Sequence, residues 1–242
     1  MTPADLAALR GAVASIARRA GDAILRVYES DFAVTHKDDR SPLTEADLAA
    51  HRVIDAALGE LDATLPVLSE ESAHIPWSQR RGWQRYWLVD PLDGTKEFLA
   101  RTGEFTINIA LIDNHRPVLG MLYLPLERVA YVGIPGLLAQ RYSDAGDGTW
   151  TTSALTTRSL PIGQPMLVLA SRRHSGSHLQ ACLQWLHEHW GPVSRCHMGS
   201  ALKFSQMAHG RGISTRGFRP AANGIRRRAR RCWRRPGDVY WI

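Results

Sequence analysis

The sequence predicts an α+β fold. Two N-terminal stretches place apolar residues every three or four positions, short apolar runs bunch in the middle of the chain, and helical spacing returns after them. No internal repeat is present, and the strands do not alternate regularly with helices as a βαβ array would require.

Residues 4–28 read as an amphipathic helix carrying Leu6, Leu9, Val13, Ile16, Ala20, Ile24 and Val27 on one face. A polar loop follows, and Pro42 biases the residue before it away from helix. Thr44 lies three residues ahead of Asp47, a capping box with Asp in the usual Glu position. It starts a second helix through Leu48, His51, Ile54, Ala57 and Leu58 to Leu61. Strands are predicted at 64–68, 86–89, 105–112, 118–123 and 129–132. A turn at Asp113-Asn114-His115-Arg116, followed by Pro117, joins the third and fourth of these into an antiparallel hairpin. In the third, Phe105, Ile107, Ile109 and Leu111 alternate with Thr106, Asn108, Ala110 and Ile112, the pattern of a sheet covered mainly on one face. Residues 140–163 are rich in Gly, Ser, Thr and Asp and read as loops or weak strands at a seam between domains. A strand at 166–170, a helix at 177–189, a strand at 193–197 and a short helix at 201–208 complete the pattern. The expected organisation is an N-terminal domain 1–155, a partial C-terminal αβ domain 156–211 and a disordered tail 212–242.

The chain has 242 residues, 44% of them apolar and 22% charged, which argues against wholesale disorder. It has no run of apolar residues long enough to span a bilayer, and charges interrupt its first helix as they would not in a signal peptide. Cys182, Cys196 and Cys232 fit neither a disulfide framework nor a Cys-rich zinc site, so reduced thiols in the cytoplasm are expected. The net charge of +7 belongs to the tail, because ten arginines and only Asp238 as an acid lie beyond Gly210. The remainder holds 20 basic and 22 acidic residues, a net charge of −2.

The chemistry concentrates around Asp90-Pro91-Leu92-Asp93-Gly94-Thr95, where an apolar strand ends in a carboxylate and turns at Pro91. Gly94 allows unusual backbone angles, and Thr95 reads as the N-cap of Lys96-Glu97-Phe98. Two carboxylates beside free backbone N–H groups suit a hard divalent cation and a phosphate. A second strand ends in Ser69-Glu70-Glu71-Ser72, and Asp47 adds another acid. Acids collected in one cleft repel each other unless a cation neutralises them, which points to a Mg2+-dependent enzyme acting on phosphate. Spacing alone leaves structural readings open. Asp90 and Asp93 also suit an Asx turn, Glu70 and Glu71 a solvated surface, and Asp47 a plain cap. Lys203, His51, His74 and His115 read as surface residues, Gly199 as a turn, and Trp77, Trp83, Trp87, Trp185 and Trp190 as packing residues.

In Leu88-Val89-Asp90-Pro91-Leu92-Asp93-Gly94-Thr95, preceded by Ser69-Glu70-Glu71, the chain resembles the inositol monophosphatase family. Lys37-Asp38-Asp39-Arg40-Ser41-Pro42-Leu43-Thr44-Glu45-Ala46-Asp47, Gly94-Thr95-Lys96-Glu97-Phe98 and Gly199-Ser200-Ala201-Leu202-Lys203-Phe204 resemble its 3'(2'),5'-bisphosphate nucleotidase branch. The resemblance implies a layered αβαβα sandwich, here with an incomplete C-terminal part. It implies Mg2+ held by Glu70, Asp90, Asp93 and the Leu92 carbonyl, with Asp47 and Thr95 orienting or deprotonating the attacking water. Glu70, Leu92, Asp93, Gly94 and Thr95 would also face the substrate phosphate, with Ser200 and Lys203 on the nucleotide side. The implied reaction removes the 3'-phosphate of adenosine 3',5'-bisphosphate to give AMP, with 3'-phosphoadenylyl sulfate as a second substrate, in the setting of sulfur assimilation. The implied protein is cytoplasmic, with a peripheral place on the inner membrane and a homodimer both left open. An inositol monophosphatase-like activity is the alternative; a polyanion-binding role for the tail is a weaker one, since no nucleic-acid fold signature accompanies its arginines.

The family's second signature, Trp-Asp-Thr-Ala-Ala-Gly, has no match in residues 212–242. If Ala222 ends in G and Asn223, Gly224 and Ile225 are AAT, GGG and ATA, the frame one nucleotide earlier reads Glu-Trp-Asp. With the following arginines as CGG it continues Thr-Ala-Ala-Gly into Ala229. A frameshift close to residue 212 is therefore expected.

Overall fold

The structure is a computed structural model that describes residues 1–30, 34–36, 42–72, 75–156, 163–171, 177–211 and 213–214. The Lys37–Ser41 loop, His74, Cys232 and the expected tail beyond Ser214 lie outside the described residues. Two compact units divide the chain, one over Met1–Ala154 and a second that begins at Leu155.

In the first unit, α1 (Pro3–Tyr28) and α2 (Glu45–Leu61) pack together against a seven-stranded sheet. Both helices start in capping boxes, at Thr2 and Thr44. Between them the short strands β1 (Val34–His36) and β2 (Pro42–Thr44) pair antiparallel, where the sequence predicted only a loop. The sheet follows chain order: β3 (Val67–Ser69), β4 (Arg85–Asp93), β5 (Thr106–Asp113), β6 (Arg116–Leu124), β7 (Val129–Ile134), β8 (Leu138–Asp144) and β9 (Trp150–Ala154). β3 runs parallel to β4 and all later pairs are antiparallel, including the predicted β5–β6 hairpin. Two short helices interrupt the early strands, α3 (Trp77–Arg80) and α4 (Thr95–Leu99).

Within the stretch read as loops or weak strands, β8 and β9 pair; β9 is the exposed last strand, so its polar residues carry little apolar alternation. Two expectations are corrected. β5 is buried on both faces, since Ala110 and Ile112 are as enclosed as Ile107, Ile109 and Leu111. Trp77 lies on the surface at 65% exposure, its ring against the Arg80 guanidinium instead of in the core.

The helices reach the sheet through small residues. Ala14, Ala17, Ala20, Ala50 and Ala57 are buried in the seam, with Val13, Ile24, Ile54 and Leu58 filling it against Ile107, Ile109 and Leu111. Gly21 is required there, because a Cβ would stand 2.5 Å from the Tyr123 ring.

The second unit has a parallel sheet with β10 (Met166–Ser171) between β11 (Val193–Met198) and β12 (Ile213–Ser214). The crossover from β10 to β11 is α5 (Ser177–Trp190), as the β–helix–β pattern in the sequence requires. Met166, Val168, Cys182 and Leu186 form its small core, and α6 (Leu202–Ala208) follows β11. Cys182 and Cys196 are free thiols, as expected.

Candidate active site

The ends of β3 and β4 bring the acids together. Their parallel register sets Ser69 opposite Val89, and the Glu70 N–H donates to the Val89 carbonyl at 3.0 Å. Glu70 and Asp90 therefore leave neighbouring strands side by side, close enough for the Glu70 charge to act on the Asp90 carboxyl.

Asp93 lies three residues beyond Asp90, a spacing that in a regular strand sends side chains to opposite faces. The strand does not end at Asp90 as predicted; β4 continues to Asp93 through a bulge. Asp90 is paired with Asn108 and Asp93 with Thr106, so Pro91 and Leu92 together stand against Ile107. The extra residue returns both carboxylates to one face.

Burial is the largest cause, and the charges of Asp93 and Glu70 add to it, in pushing the Asp90 carboxyl up to about 8. The Asp90 Oδ1 atom is buried and has no hydrogen-bond partner. Among the described residues no three acidic, His or Cys side chains are already gathered at metal-binding spacing. An orphaned buried oxygen amid mutually repelling carboxylates fits a hard divalent cation, which takes oxygen donors and removes the repulsion.

Gly94 carries the chain from β4 into α4 with φ 99°, a left-handed conformation that suits glycine. It takes the N-cap position that the sequence assigned to Thr95. Thr95 is instead the first helical residue, and its hydroxyl lies 3.3 Å from Asp47 Oδ1 and 3.3 Å from the Leu92 carbonyl oxygen. The five-residue α4 is too short to hold itself, and Phe98 anchors it. That fully buried ring packs 5.3 Å from Phe105 and 5.1 Å from Tyr28.

Asp47 is buried at the start of α2. Its Oδ2 accepts from the Thr44 N–H at 2.8 Å and the Thr44 hydroxyl at 2.5 Å, leaving Oδ1 turned to Thr95. Asp47 is thus a cap and also the partner of a residue 48 positions away.

His51 is not a free surface residue; its Nδ1 lies 3.0 Å from the Oγ of buried Ser69. Sequence reading missed this pair, although His51 lies four residues beyond Asp47 and so shares its helix face.

Ser200 and Lys203 belong to the second unit. Ser200 has φ 47°, and Lys203 is only 4% exposed, against the surface position read from the sequence. The Lys203 ammonium donates to the carbonyls of Met198 at 3.1 Å and Ser200 at 2.6 Å, bonds that make its burial tolerable.

Known proteins share this arrangement of sequence. A 3'(2'),5'-bisphosphate nucleotidase CysQ of Escherichia coli is 44% identical over 202 residues, covering 82% of this chain and 76% of that protein. The CysQ of Buchnera aphidicola is 35% identical over 207 residues, covering 82% of this chain and 71% of its own. Among solved structures, CysQ from Bacteroides thetaiotaomicron superimposes with a TM-score of 0.68 at 35% identity, covering 83% of this chain and 77% of that one. The suhB protein of Bartonella henselae, at 22% identity, has a TM-score of 0.67, covers 85% of this chain and 76% of its own, and shows the shared fold alone. The profile of the inositol monophosphatase family matches residues 5–219, and the chain belongs to that family.

Proposed function

We propose that this protein removes the 3'-phosphate of adenosine 3',5'-bisphosphate, giving AMP and phosphate, and acts also on 3'-phosphoadenylyl sulfate. The observation that carries this is the bulge in β4, which sets Asp93 on the same face as Asp90, beside Glu70, in a chain 44% identical to a bisphosphate nucleotidase. In this reading Glu70, Asp90, Asp93 and the Leu92 carbonyl hold Mg2+. When bound, the ion lowers the pKa of water and offsets charge on the phosphoryl oxygens. The Thr95 hydroxyl orients the attacking water, and the Asp47 carboxylate receives the proton passed on through that hydroxyl. The phosphorus–O3' bond breaks as water's oxygen adds, and the ribose oxygen leaves with a proton from solvent. The backbone amides of Gly94 and Thr95 steady the phosphate. Ser200 and Lys203 are proposed nucleotide contacts on the family resemblance, and the Lys203 ammonium is already held by the Met198 and Ser200 carbonyls. No helix among the described residues is long and apolar enough to cross a membrane, and a cytoplasmic location is proposed. Comparison of kcat/KM on adenosine 3',5'-bisphosphate and inositol 1-phosphate tests the assignment. Faster turnover of the inositol ester would move the protein to the sister activity.

We infer further that residues 212–242 are read from a shifted frame, which accounts for the nine arginines of that segment and for the hidden Glu-Trp-Asp-Thr-Ala-Ala-Gly. Sequencing the coding DNA around residue 212 decides this; codons that do not yield that heptapeptide one nucleotide earlier refute it. Restoring the frame is expected to raise Mg2+ affinity, since it supplies a further aspartate.

A further inference from the structure

We propose that His51 is a positioning residue for the metal-binding acids and acts through Ser69; this rests on the reading of Glu70 as a Mg2+ ligand. One face of α2 carries both Asp47 and, a turn later, His51. Asp47 reaches the end of β4 through Thr95, and His51 reaches the end of β3 through Ser69, so a single helix holds both acid-bearing strand ends.

Ser69 is the hub of the turn that presents Glu70. It is 6% exposed, and its Oγ stands 3.0 Å from His51 Nδ1 while accepting the Glu71 N–H at 3.4 Å. Its own N–H donates to Ser72 Oγ at 3.3 Å, and its carbonyl accepts the Ser72 N–H at 3.2 Å. Glu70 lies inside this closed turn, with its N–H fixed on the Val89 carbonyl. The Glu70 residue is exposed, and this turn sets the backbone from which its carboxyl reaches Asp90. A turn already held in place lowers the ordering cost of metal binding. The His51–Ser69 bond fixes the hydroxyl on which the Glu71 N–H rests, whichever of the two groups carries the proton. Partners one shell behind a ligand orient it in this way.

Mg2+ titration of the full chain by calorimetry tests the proposal. Ser69→Ala and His51→Ala are each expected to raise the Kd for Mg2+ about tenfold. His51→Asn, which can place an amide atom near the former Nδ1, is expected to recover most of the loss. In steady state, the alanine variants should need more Mg2+ yet approach the parent kcat at saturation. Glu70→Gln is the control. Unchanged Mg2+ affinity in that variant overturns the metal reading, whereas weakened affinity there with parent affinity in Ser69→Ala and His51→Ala overturns the positioning role alone. Failure of His51→Asn to recover affinity, with a melting temperature in EDTA as low as that of His51→Ala, also overturns it, because the loss is then one of folding.

Discussion

The same four-residue device opens both N-terminal helices, and only one copy is in the site. At α1, Thr2 accepts the Asp5 N–H at 3.2 Å and the Asp5 carboxylate accepts the Thr2 N–H at 2.8 Å, in full contact with solvent. At α2, Thr44 and Asp47 repeat the pattern, but Asp47 is 2% exposed and its second oxygen faces the Thr95 hydroxyl. The local sequence specifies the cap in both places. Burial and a partner from a distant strand end give one cap a second contact, on which its proposed role as a base rests. A capping box is thus no argument against catalysis, because the carboxylate that completes the box has two oxygens and the cap uses one.

The largest expected effects fall where the second oxygen, or the whole carboxylate, faces the site. Asp90→Asn, which removes a buried acid raised to about 8, should lower kcat/KM about a thousandfold, equivalent to about 4 kcal/mol. Asp47→Asn should cost about a hundredfold, the usual share of a general base, whereas Asp5→Asn should leave kcat/KM at the parent value. Steady-state assays at saturating Mg2+ make the comparison. Equal activity in the Asp47→Asn and Asp5→Asn variants would erase the distinction between the two caps. Glu70→Gln should be more damaging than Glu71→Gln, since only Glu70 meets Asp90.

Titration provides a contrast of opposite sign. The bonds from the Thr2 N–H and hydroxyl hold Asp5 below its ordinary value, so its stabilisation is present above the unfolded value and lost as pH falls through the lower folded one. Asp90 is raised to about 8, so the metal-free native state binds a proton that the unfolded chain releases near pH 4. Metal-free stability should therefore fall as pH rises between those limits, and Mg2+ should bind more tightly over the same rise. Melting temperatures in EDTA at pH 5 and pH 8 measure it. A parent whose fall matches that of Asp90→Asn would show that Asp90 does not titrate in this window.

Legibility followed the range of the interactions. Both long helices, the β5–β6 hairpin and the β10–α5–β11 crossover were readable because apolar spacing and turn residues act locally. The paired β8 and β9 were legible only as loops or weak strands, since an exposed last strand needs little apolar alternation. Within the site, the acids themselves were readable as motifs. The bulge that gives Asp90 and Asp93 a common face was hidden, because it is a property of the pairing with β5 and not of either residue. Lys203 and His51 were misread for a related reason: Lys203 is enclosed by carbonyls of its own turn, and the His51 partner Ser69 is 18 residues away.

The smallest expected effect is at Thr2, and it isolates what a cap alone contributes. Thr2→Ala removes the acceptor of the Asp5 N–H and leaves the first turn of α1 to water, which costs about 0.5–1 kcal/mol at an exposed end. This box is exposed, so kcat/KM and Mg2+ affinity should not change. Thr44→Ala removes a matching cap, but it also removes the hydroxyl that donates to Asp47 Oδ2 at 2.5 Å and leaves the backbone N–H there, so it should lower stability and activity together. Thr44→Ser keeps the hydroxyl and should restore activity. Urea denaturation and steady-state kinetics on the three variants give the result. Loss of activity in Thr2→Ala comparable to that in Thr44→Ala would mean that helix stability alone sets the rate, and that the buried box has no second function.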